Sequence, residues 1–417
     1  MSFAVKRFNI VKIILNKSIF DENIIHMILK YYWKLLNKRK VFLDWIDNEY
    51  LYCYGIYFNS NAIELIMNNQ DKIYWKNLSY NPNAIDLLKI RIEYENSLSS
   101  EDYNNLQHKI DWSILSSNPN AIELLTNNQD KIDWSILSKN PNAIDLLENN
   151  QDKINWRILS RNPNAIELLK NNKDKIDWYL ISLNPNAIDL LKIRIEYENS
   201  LSVENYNNVR NKIDWDLLSK NPNAIELLTN NQYKIDWYNL SLNPNAIELL
   251  TNNQDKIYWF NMSENPNAID LLKIRIEYEN SLSSEDYNNL QHRINWSILS
   301  SNLNAIELLT NNQDKIDWEE LSYNTNAIEL LTNNQDKIYW YLISENPNAI
   351  DLLKIRIEYE NSLSSEEYDY LQHKIDWKEL SSNPNAIELL KNNLDKIDWD
   401  LLSVNPSIFE DEPMPTI

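Results

Sequence analysis

Residues 118–139 read NPNAIELLTNNQDKIDWSILSK, and the chain begins almost the same phrase again at Asn140. Variants of the phrase fill most of the 417 residues, and a tryptophan marks each copy. From Trp75 to Trp399 these tryptophans are spaced by either 22 or 37 residues. Repeats of 20 to 50 residues are typical of solenoids and related arrays. The spacing predicts thirteen modules, preceded by a degenerate module around Trp45.

Two helices are predicted in each module. Asn140 is a good helix cap and Pro141 suits the first helical position, so the first helix is predicted to open there. It should stop near Asn149 and Asn150, because asparagine tolerates the left-handed conformation common at helix ends. Asp133 should cap a second helix of about one and a half turns, partly 3₁₀. A strand competes for this segment, since Ile132 and Trp134 alternate, but the apolar pair that follows breaks the alternation.

Four modules are longer because they carry a 15-residue insertion; they start at Asn83, Asn186, Asn267 and Asn348. In the first of them, the first helix is predicted to continue through KIRIEYENSL, to pause at Ser99–Ser100 and to return through a short capped segment. The fold class predicted is all-α, a solenoid of 22-residue two-helix modules with four 37-residue long modules. Residues 1–58 are predicted as an N-terminal helical cap, 59–405 as the repeat array and 406–417 as a C-terminal tail.

The module tryptophans are predicted to have a structural role. A module of about 22 residues buries too little surface to fold alone, so each indole should pack against the next module. We expect Trp215→Ala to cost about 3 to 5 kcal/mol, as other large aromatic truncations do. The structural set is Trp112, Trp134, Trp156, Trp178, Trp215, Trp237, Trp259, Trp296, Trp318, Trp340, Trp377 and Trp399.

Composition excludes several classes of function. The single glycine, Gly55, rules out glycine-rich phosphate loops, and the single cysteine, Cys53, rules out disulfide frameworks and CxxC metal sites. The longest apolar runs are too short to span a bilayer, so a soluble protein that is not secreted is expected. Residues 1–40 carry nine Lys or Arg against Asp21 and Glu22; with the total of -21, this leaves -28 on the remainder. An acidic array should not bind nucleic acid.

No catalytic constellation, cofactor site or metal site is predicted. His108, His292 and His373 occupy the same place in three long modules, and the fourth carries Asn211 there, which indicates a surface role. The carboxylates recur evenly, once per module, whereas a general acid and base need different environments. The sequence therefore predicts a protein that is not an enzyme.

Binding is predicted where the modules differ. The residue after each module tryptophan and the one four further on should share a face of the second helix, and these positions vary. Several are aromatic, as protein-binding surfaces tend to be, although a solvated face free to drift would look the same. The predicted partner-binding residues are Tyr80, Arg157, Arg161, Tyr179, Tyr238, Phe260, Tyr323 and Tyr341.

With these motifs set side by side, residues 59–409 resemble the "NPNAIELL" tandem-repeat proteins of giant DNA viruses that infect amoebae. The resemblance implies little about activity, but it suggests a viral scaffold that binds proteins in the host cytoplasm, or a structural component of the virion. The rhythm xLSxNPxxxxLL is also similar to leucine-rich variant repeats, which implies alternating α and 3₁₀ helices.

The segment IFDENIIHMILKYYWKLL, from Ile19 to Leu36, resembles the first helix of F-box-like modules, with Phe20 where proline is expected. This resemblance implies an alternative function as a substrate adaptor, in which residues 1–45 bind the linker subunit of a host cullin-type ubiquitin ligase. The other interpretation is an amphipathic helix that covers the first module.

Overall fold

The computed structural model describes residues 40–46, 54–67 and 73–411. It divides into two compact units, of which unit 1 comprises Met1–Ile110 with Ser381–Ile417, and unit 2 comprises Asp111–Leu380. Both are built of short helices in a regular repeat, so the all-α solenoid is confirmed. Within the described residues none of the helices combines the length and the apolar character needed to cross a membrane.

The helix that starts at each module tryptophan is called the Trp helix. These helices are Trp75–Leu78, Trp112–Ser117, Trp134–Leu137, Trp156–Leu159, Trp178–Ile181, Trp215–Lys220, Trp237–Leu242, Trp259–Met262, Trp296–Ser301, Trp318–Tyr323, Trp340–Ile343, Trp377–Ser382 and Trp399–Val404. The predicted cap is confirmed at Asp133, whose carboxylate accepts hydrogen bonds from the backbone N–H groups of Ser135 and Ile136, both at 3.1 Å.

The first helices of short modules are Ile63–Met67, Ile122–Thr126, Ile144–Glu148, Ile166–Lys170, Ile225–Thr229, Ile247–Thr251, Ile306–Thr310, Ile328–Thr332 and Ile387–Lys391. Most are followed by a 3₁₀ turn, at Gln129–Lys131, Lys173–Lys175, Gln232–Lys234, Gln254–Lys256, Gln313–Lys315, Gln335–Lys337 and Leu394–Lys396. The predicted start at Asn140-Pro141 was wrong, since these residues form a turn and the helix begins at Ile144.

The asparagine that opens each module bonds to the preceding module instead of capping a helix, which explains why the helix starts later. The Asn140 side chain accepts the backbone N–H of Asn142, and its amide donates to the carbonyls of Ser116 and Asn118 in the preceding module, at 3.1 and 3.2 Å. The equivalent asparagines repeat this pattern along unit 2; examples are Asn162, Asn184, Asn221, Asn243 and Asn265. We call this set of buried contacts the asparagine ladder.

The end of the first helix was predicted at the right place for the wrong reason. Asn149 has φ -77°, which is right-handed, and the only described non-glycine residue with positive φ is His373. Instead, the side-chain amides of Asn149 and Asn150 donate to the carbonyls of Asp145 and Leu146, at 2.8 and 3.0 Å. Asparagine thus satisfies carbonyls that the helix end leaves open.

The long modules follow the prediction. Their long helices are Ile85–Ser97, Ile188–Ser200, Ile269–Ser281 and Ile350–Ser362, and their return helices are Ser100–Asn105, Val203–Asn208, Ser284–Asn289 and Ser365–Tyr370. Ser99 caps the first return helix by accepting the backbone N–H of Asp102 at 3.2 Å.

In unit 1 the first and last modules pack on each other. A 3₁₀ helix, Tyr54–Phe58, contacts both Trp75–Leu78 and Trp399–Val404, so it takes the place of a Trp helix. The amide of Asn59 donates to the carbonyls of Ser403 and Asn405, at 3.2 and 3.0 Å, as the asparagine ladder does elsewhere. The degenerate module is therefore centred on this helix, and Trp45, which lies in a turn, does not mark it.

Two strands extend this junction. β1, Lys40–Phe42, pairs antiparallel with β2, Phe409–Asp411, after a 3₁₀ turn at Pro406–Ile408. The rings of Phe42 and Phe409 stack at 4.7 Å between centroids. Hence the predicted C-terminal tail is folded at least to Asp411. The predicted N-terminal cap falls mostly on residues 1–39 and 47–53, outside the described residues, and stays a prediction.

Candidate partner-binding surface

The Trp helices of neighbouring modules lie against each other, so equivalent side chains come close across modules. Glu319 and Tyr341 both follow a module tryptophan, 22 residues apart, and the Tyr341 hydroxyl donates to the Glu319 carboxylate at 3.2 Å. Tyr80 lies five residues after Trp75, and Phe58 holds the equivalent place in the preceding module. Their ring centroids are 5.9 Å apart. In these two pairs, the variable positions of neighbouring modules are in contact.

All eight predicted partner-binding residues are exposed. Tyr80 lies in unit 1 and the other seven lie in unit 2. The exposed fractions of Tyr238 and Phe260 are 50% and 51%, and Tyr179 and Tyr323 have similar values. We call these eight residues the stripe. Their exposure is the property that a binding role requires, while the role itself stays a prediction.

The tryptophans lie beneath this surface and differ in burial. Trp178, Trp259 and Trp340 are buried, whereas the other nine of the predicted structural set are half-buried. Seven of these tryptophans are followed by a short module, and the ammonium of a lysine in that module lies 4.5 to 5.1 Å from the indole centroid. Lys256 over Trp237 is one example. Cation–π contact therefore replaces apolar cover on these indoles.

In the long modules an arginine provides this cover. Arg275 of the third long helix lies 4.9 Å from the Trp259 ring, and its Nε donates to the Glu279 carboxylate at 2.8 Å. Glu279 is only 5% exposed, and the same oxygen accepts the backbone N–H of Ile294 at 3.1 Å. The Arg275 guanidinium also donates to the His292 carbonyl at 2.6 Å. The ion pair thus ties the loop after the return helix to the long helix.

The other three long modules repeat this ion pair, at Arg91–Glu95, Arg194–Glu198 and Arg356–Glu360. Its charge affects a nearby phenol in each of these modules. Burial first, and then the carboxylate of Glu198, raise the pKa of Tyr206. The pKa of Tyr103 is raised in the same way by burial and Glu95, and the pKa of Tyr368 by burial and Glu360. Sequence reasoning missed these buried pairs, although an arginine followed four residues later by glutamate on one helix is a recognisable signal.

The tied loop and two Trp helices enclose a groove in unit 2. It has a volume of about 620 Å³, and its lining includes Tyr238, Tyr258, Phe260, Asn261, His292 and Trp296. The His292 ring lies 4.6 Å from Tyr258, which in turn contacts Tyr238 edge-on at 5.6 Å. We call this the aromatic groove. The sequence indicated Tyr238 and Phe260, but it gave no sign that the histidine loop would form a wall.

The histidine position varies with its neighbour. His108, His292 and His373 are exposed, as predicted, and each lies against a tyrosine that precedes a module tryptophan. Where Asp177 replaces the tyrosine, Asn211 replaces the histidine. The side-chain oxygen of Asn211 accepts the backbone N–H of Trp178, and its amide nitrogen donates to the Ile176 carbonyl, both at 2.8 Å. Equivalent loops therefore present different chemistry, and the prediction of a surface position is confirmed.

Among the described residues, His, Cys, Asp and Glu side chains form no group of three that could hold a metal ion. Comparison with protein-family models, with curated proteins and with solved structures found no match to this chain.

Proposed function

We propose that this protein binds other proteins through the stripe and acts as a scaffold without catalysis. The observation that carries the proposal is the set of exposed Tyr, Phe and Arg side chains on the Trp helices, or just after them at Tyr80 and Arg161, while the buried residues of these helices scarcely change from module to module. Aromatic side chains provide much contact area for little loss of conformational entropy, and Tyr and Arg are enriched where binding energy concentrates.

A binding role also fits the distribution of charge. Carboxylates recur at equivalent places, many of them as helix caps such as Asp133, Asp177 and Asp214. Such a series supplies repeated structural hydrogen bonds at the starts of the Trp helices, which is a role in the fold rather than in proton transfer.

Affinity capture with the tagged full chain would test the proposal. The stripe variant carries Tyr179, Tyr238, Phe260, Tyr323 and Tyr341 changed to serine. A matched control changes exposed apolar residues outside the stripe, Val203, Tyr233, Leu303 and Tyr370, to serine; Tyr233 and Tyr370 are 79% and 80% exposed. We expect mass spectrometry to show partners retained by the wild type and the control but lost from the stripe variant. Equal retention by all three would contradict the proposal.

The viral resemblance leads us to propose the host cytoplasm or the virus particle as the place of action. Mass spectrometry of purified particles would separate a virion component from a protein confined to the infected cell. The adaptor alternative depends on residues 1–45, of which only 40–45 are described. Capture of a cullin-type linker subunit by the full chain, and its loss in an Ile24→Ala, Ile25→Ala variant, would support that alternative.

A further inference from the structure

The aromatic rings of this protein repeatedly bind its own cations. Lysine covers seven module tryptophans, and arginine covers the four that precede the long helices, Trp75, Trp178, Trp259 and Trp340. The tyrosines of the return helices carry a lysine or an arginine as well; Lys109 over Tyr103 and Arg293 over Tyr287 are examples. A ring face with a cation at 4 to 6 Å is thus the usual arrangement in this chain.

The aromatic groove departs from this arrangement. Tyr238 and Phe260 are half exposed, and within the described part of the chain no lysine or arginine lies over either ring. Arg293 borders the groove, but its guanidinium lies over Tyr287 at 4.9 Å and donates to the carbonyls of Asn288 and Leu290. The groove therefore offers aromatic faces that its own cations leave uncovered.

One equivalent position is occupied from within the chain. Tyr341 stands 81 residues after Phe260, at the same place before the next long helix, where it stacks on His373 at 6.0 Å and bonds to Glu319. Tyr179 stands 81 residues before Phe260 and is also uncovered, but the loop next to it carries Asn211, which is bonded to the backbone of Trp178 and Ile176. Of Tyr179, Phe260 and Tyr341, only Phe260 therefore combines a ring without a ring or cation contact among the described residues with a histidine in the loop that lines its groove.

The lining of the groove also has polar groups, among them Gln291, Asn295 and the buried amide of Asn261. Asn261 stands two residues after Trp259, where Ile136, Ile158 and Leu217 are found in other modules. It is 4% exposed, and its amide nitrogen donates to the Tyr238 carbonyl at 3.0 Å. Its side-chain oxygen is an acceptor in a lining that includes aromatic rings, and such polar groups orient ligands in pockets.

Among the described residues, the groove lining holds Arg293 and no carboxylate, but the Trp helix next to that of Tyr238 is acidic, which favours a cation. Asp216 occupies, in the preceding module, the position that Tyr238 holds in its own. Asp214 caps the helix that carries Asp216, and the backbone N–H of Asp236 donates to Ser219 of the same helix at 3.1 Å, so these three acids lie near one another. The whole chain carries a net charge of -21. A basic ligand would therefore be attracted, and a guanidinium also stacks on aromatic faces and donates to an amide oxygen.

We propose that the aromatic groove binds an arginine side chain of a basic, extended segment in a partner protein, stacked on Tyr238 and Phe260. This inference rests on the proposed function and names the chemistry of the partner at one part of the stripe.

Fluorescence polarisation with the full chain would test it at near-physiological salt. The probe is a labelled Ser-Arg-Ser-Arg-Ser-Arg-Ser peptide, compared with the same peptide carrying citrulline, which keeps the planar shape but lacks the charge. A contribution of about 1 to 2 kcal/mol from cation–π stacking corresponds to a loss of about five- to thirtyfold for the citrulline peptide or for Phe260→Ala. Tyr370→Ala removes an exposed tyrosine that lies outside both the groove and the stripe, and we expect it to bind within twofold of wild type.

A second variant keeps the test independent of folding. Asn261→Leu introduces a residue that other modules carry at this position, so the module should fold, and the peptide should bind several times more weakly. Equal binding of the arginine and citrulline peptides would overturn the inference, as would equal weakening by Phe260→Ala and Tyr370→Ala. If partner capture depends on the stripe while the arginine peptide fails to bind, only the inference about arginine falls. If capture is independent of the stripe, the proposed function falls.

Discussion

At the scale of single residues, the buried asparagines of the ladder hold neighbouring modules together through side-chain hydrogen bonds. Asn243 is buried, and its amide donates to the carbonyls of Ser219 and Asn221, at 3.0 and 3.1 Å. Two residues later, Asn245 makes one such bond, to the Pro222 carbonyl at 3.0 Å, in an exposed setting. The two positions are matched in residue type but differ in burial.

We expect Asn243→Ala to lower the free energy of unfolding by about 2 to 4 kcal/mol, because it leaves two buried carbonyls without their donor. Asn245→Ala should cost less than about 1 kcal/mol, since water can replace its bond. Urea unfolding followed by circular dichroism would measure both. Similar losses in the two variants would mean that burial is not what makes the ladder stabilising.

Asp216 should make stability depend on pH. Burial and two neighbouring carboxylates raise its pKa, so the folded protein favours the protonated form. The stabilisation is complete below the ordinary pKa of aspartate and is lost as the pH rises through the raised value. We therefore expect Asp216→Asn to unfold at a higher temperature than wild type at pH 7 and at the same temperature near pH 3. Ser297→Asn, at the equivalent position, should show no such pH-dependent gain in differential scanning calorimetry.

At the scale of elements, the long modules depend on a buried ion pair. Glu198 is 3% exposed and accepts hydrogen bonds from Arg194 at 2.8 Å and from the backbone N–H of Ile213 at 3.1 Å. Removing one partner of a buried pair leaves the other charge uncompensated. The pair should therefore decide whether the insertion is ordered.

We predict that Glu198→Ala costs about 3 to 5 kcal/mol locally and raises hydrogen exchange in residues 201–213. Glu196→Ala, on the exposed side of the same helix, provides the control and should leave exchange in this segment unchanged. An unchanged exchange pattern in Glu198→Ala would show that apolar packing alone holds the insertion.

At the scale of the molecule, unit 1 joins the two ends of the repeat. The only glycine of the chain lies at this junction, where a Cβ on Gly55 would approach the Asp400 carbonyl and Val404 to 2.9 Å each and would overlap the Ser403 hydroxyl. Glycine is thus needed here for close approach of the last Trp helix. Its position can be seen in the sequence, but its reason can be seen only in the packing.

Gly55→Ala should destabilise this junction, because the carbonyl of Asp400 belongs to the backbone and cannot move aside easily. We expect a lower melting temperature and faster hydrogen exchange in Lys40–Phe42 and Phe409–Asp411. Adding Ser403→Ala removes one of the clashing atoms and should recover part of the loss, while Ser403→Ala alone serves as the control. A Gly55→Ala protein with wild-type exchange in both strands would contradict the close approach.

The sequence alone determined the period, the all-helical class, the caps at aspartate and the course of the long modules, because these depend on local spacing and on propensities that repeat thirteen times. It placed the stripe correctly on the surface for the same reason. The tertiary structure decided the late start of the first helix, the buried arginine–glutamate pairs, the histidine wall of the groove and the junction at Gly55. The helix start, the groove and the junction depend on which carbonyl or ring of another module lies within a few ångströms, and the burial of the arginine–glutamate pairs depends on how the inserted loop folds back on its helix. Adjacency of that kind cannot be seen in the order of residues along one repeat.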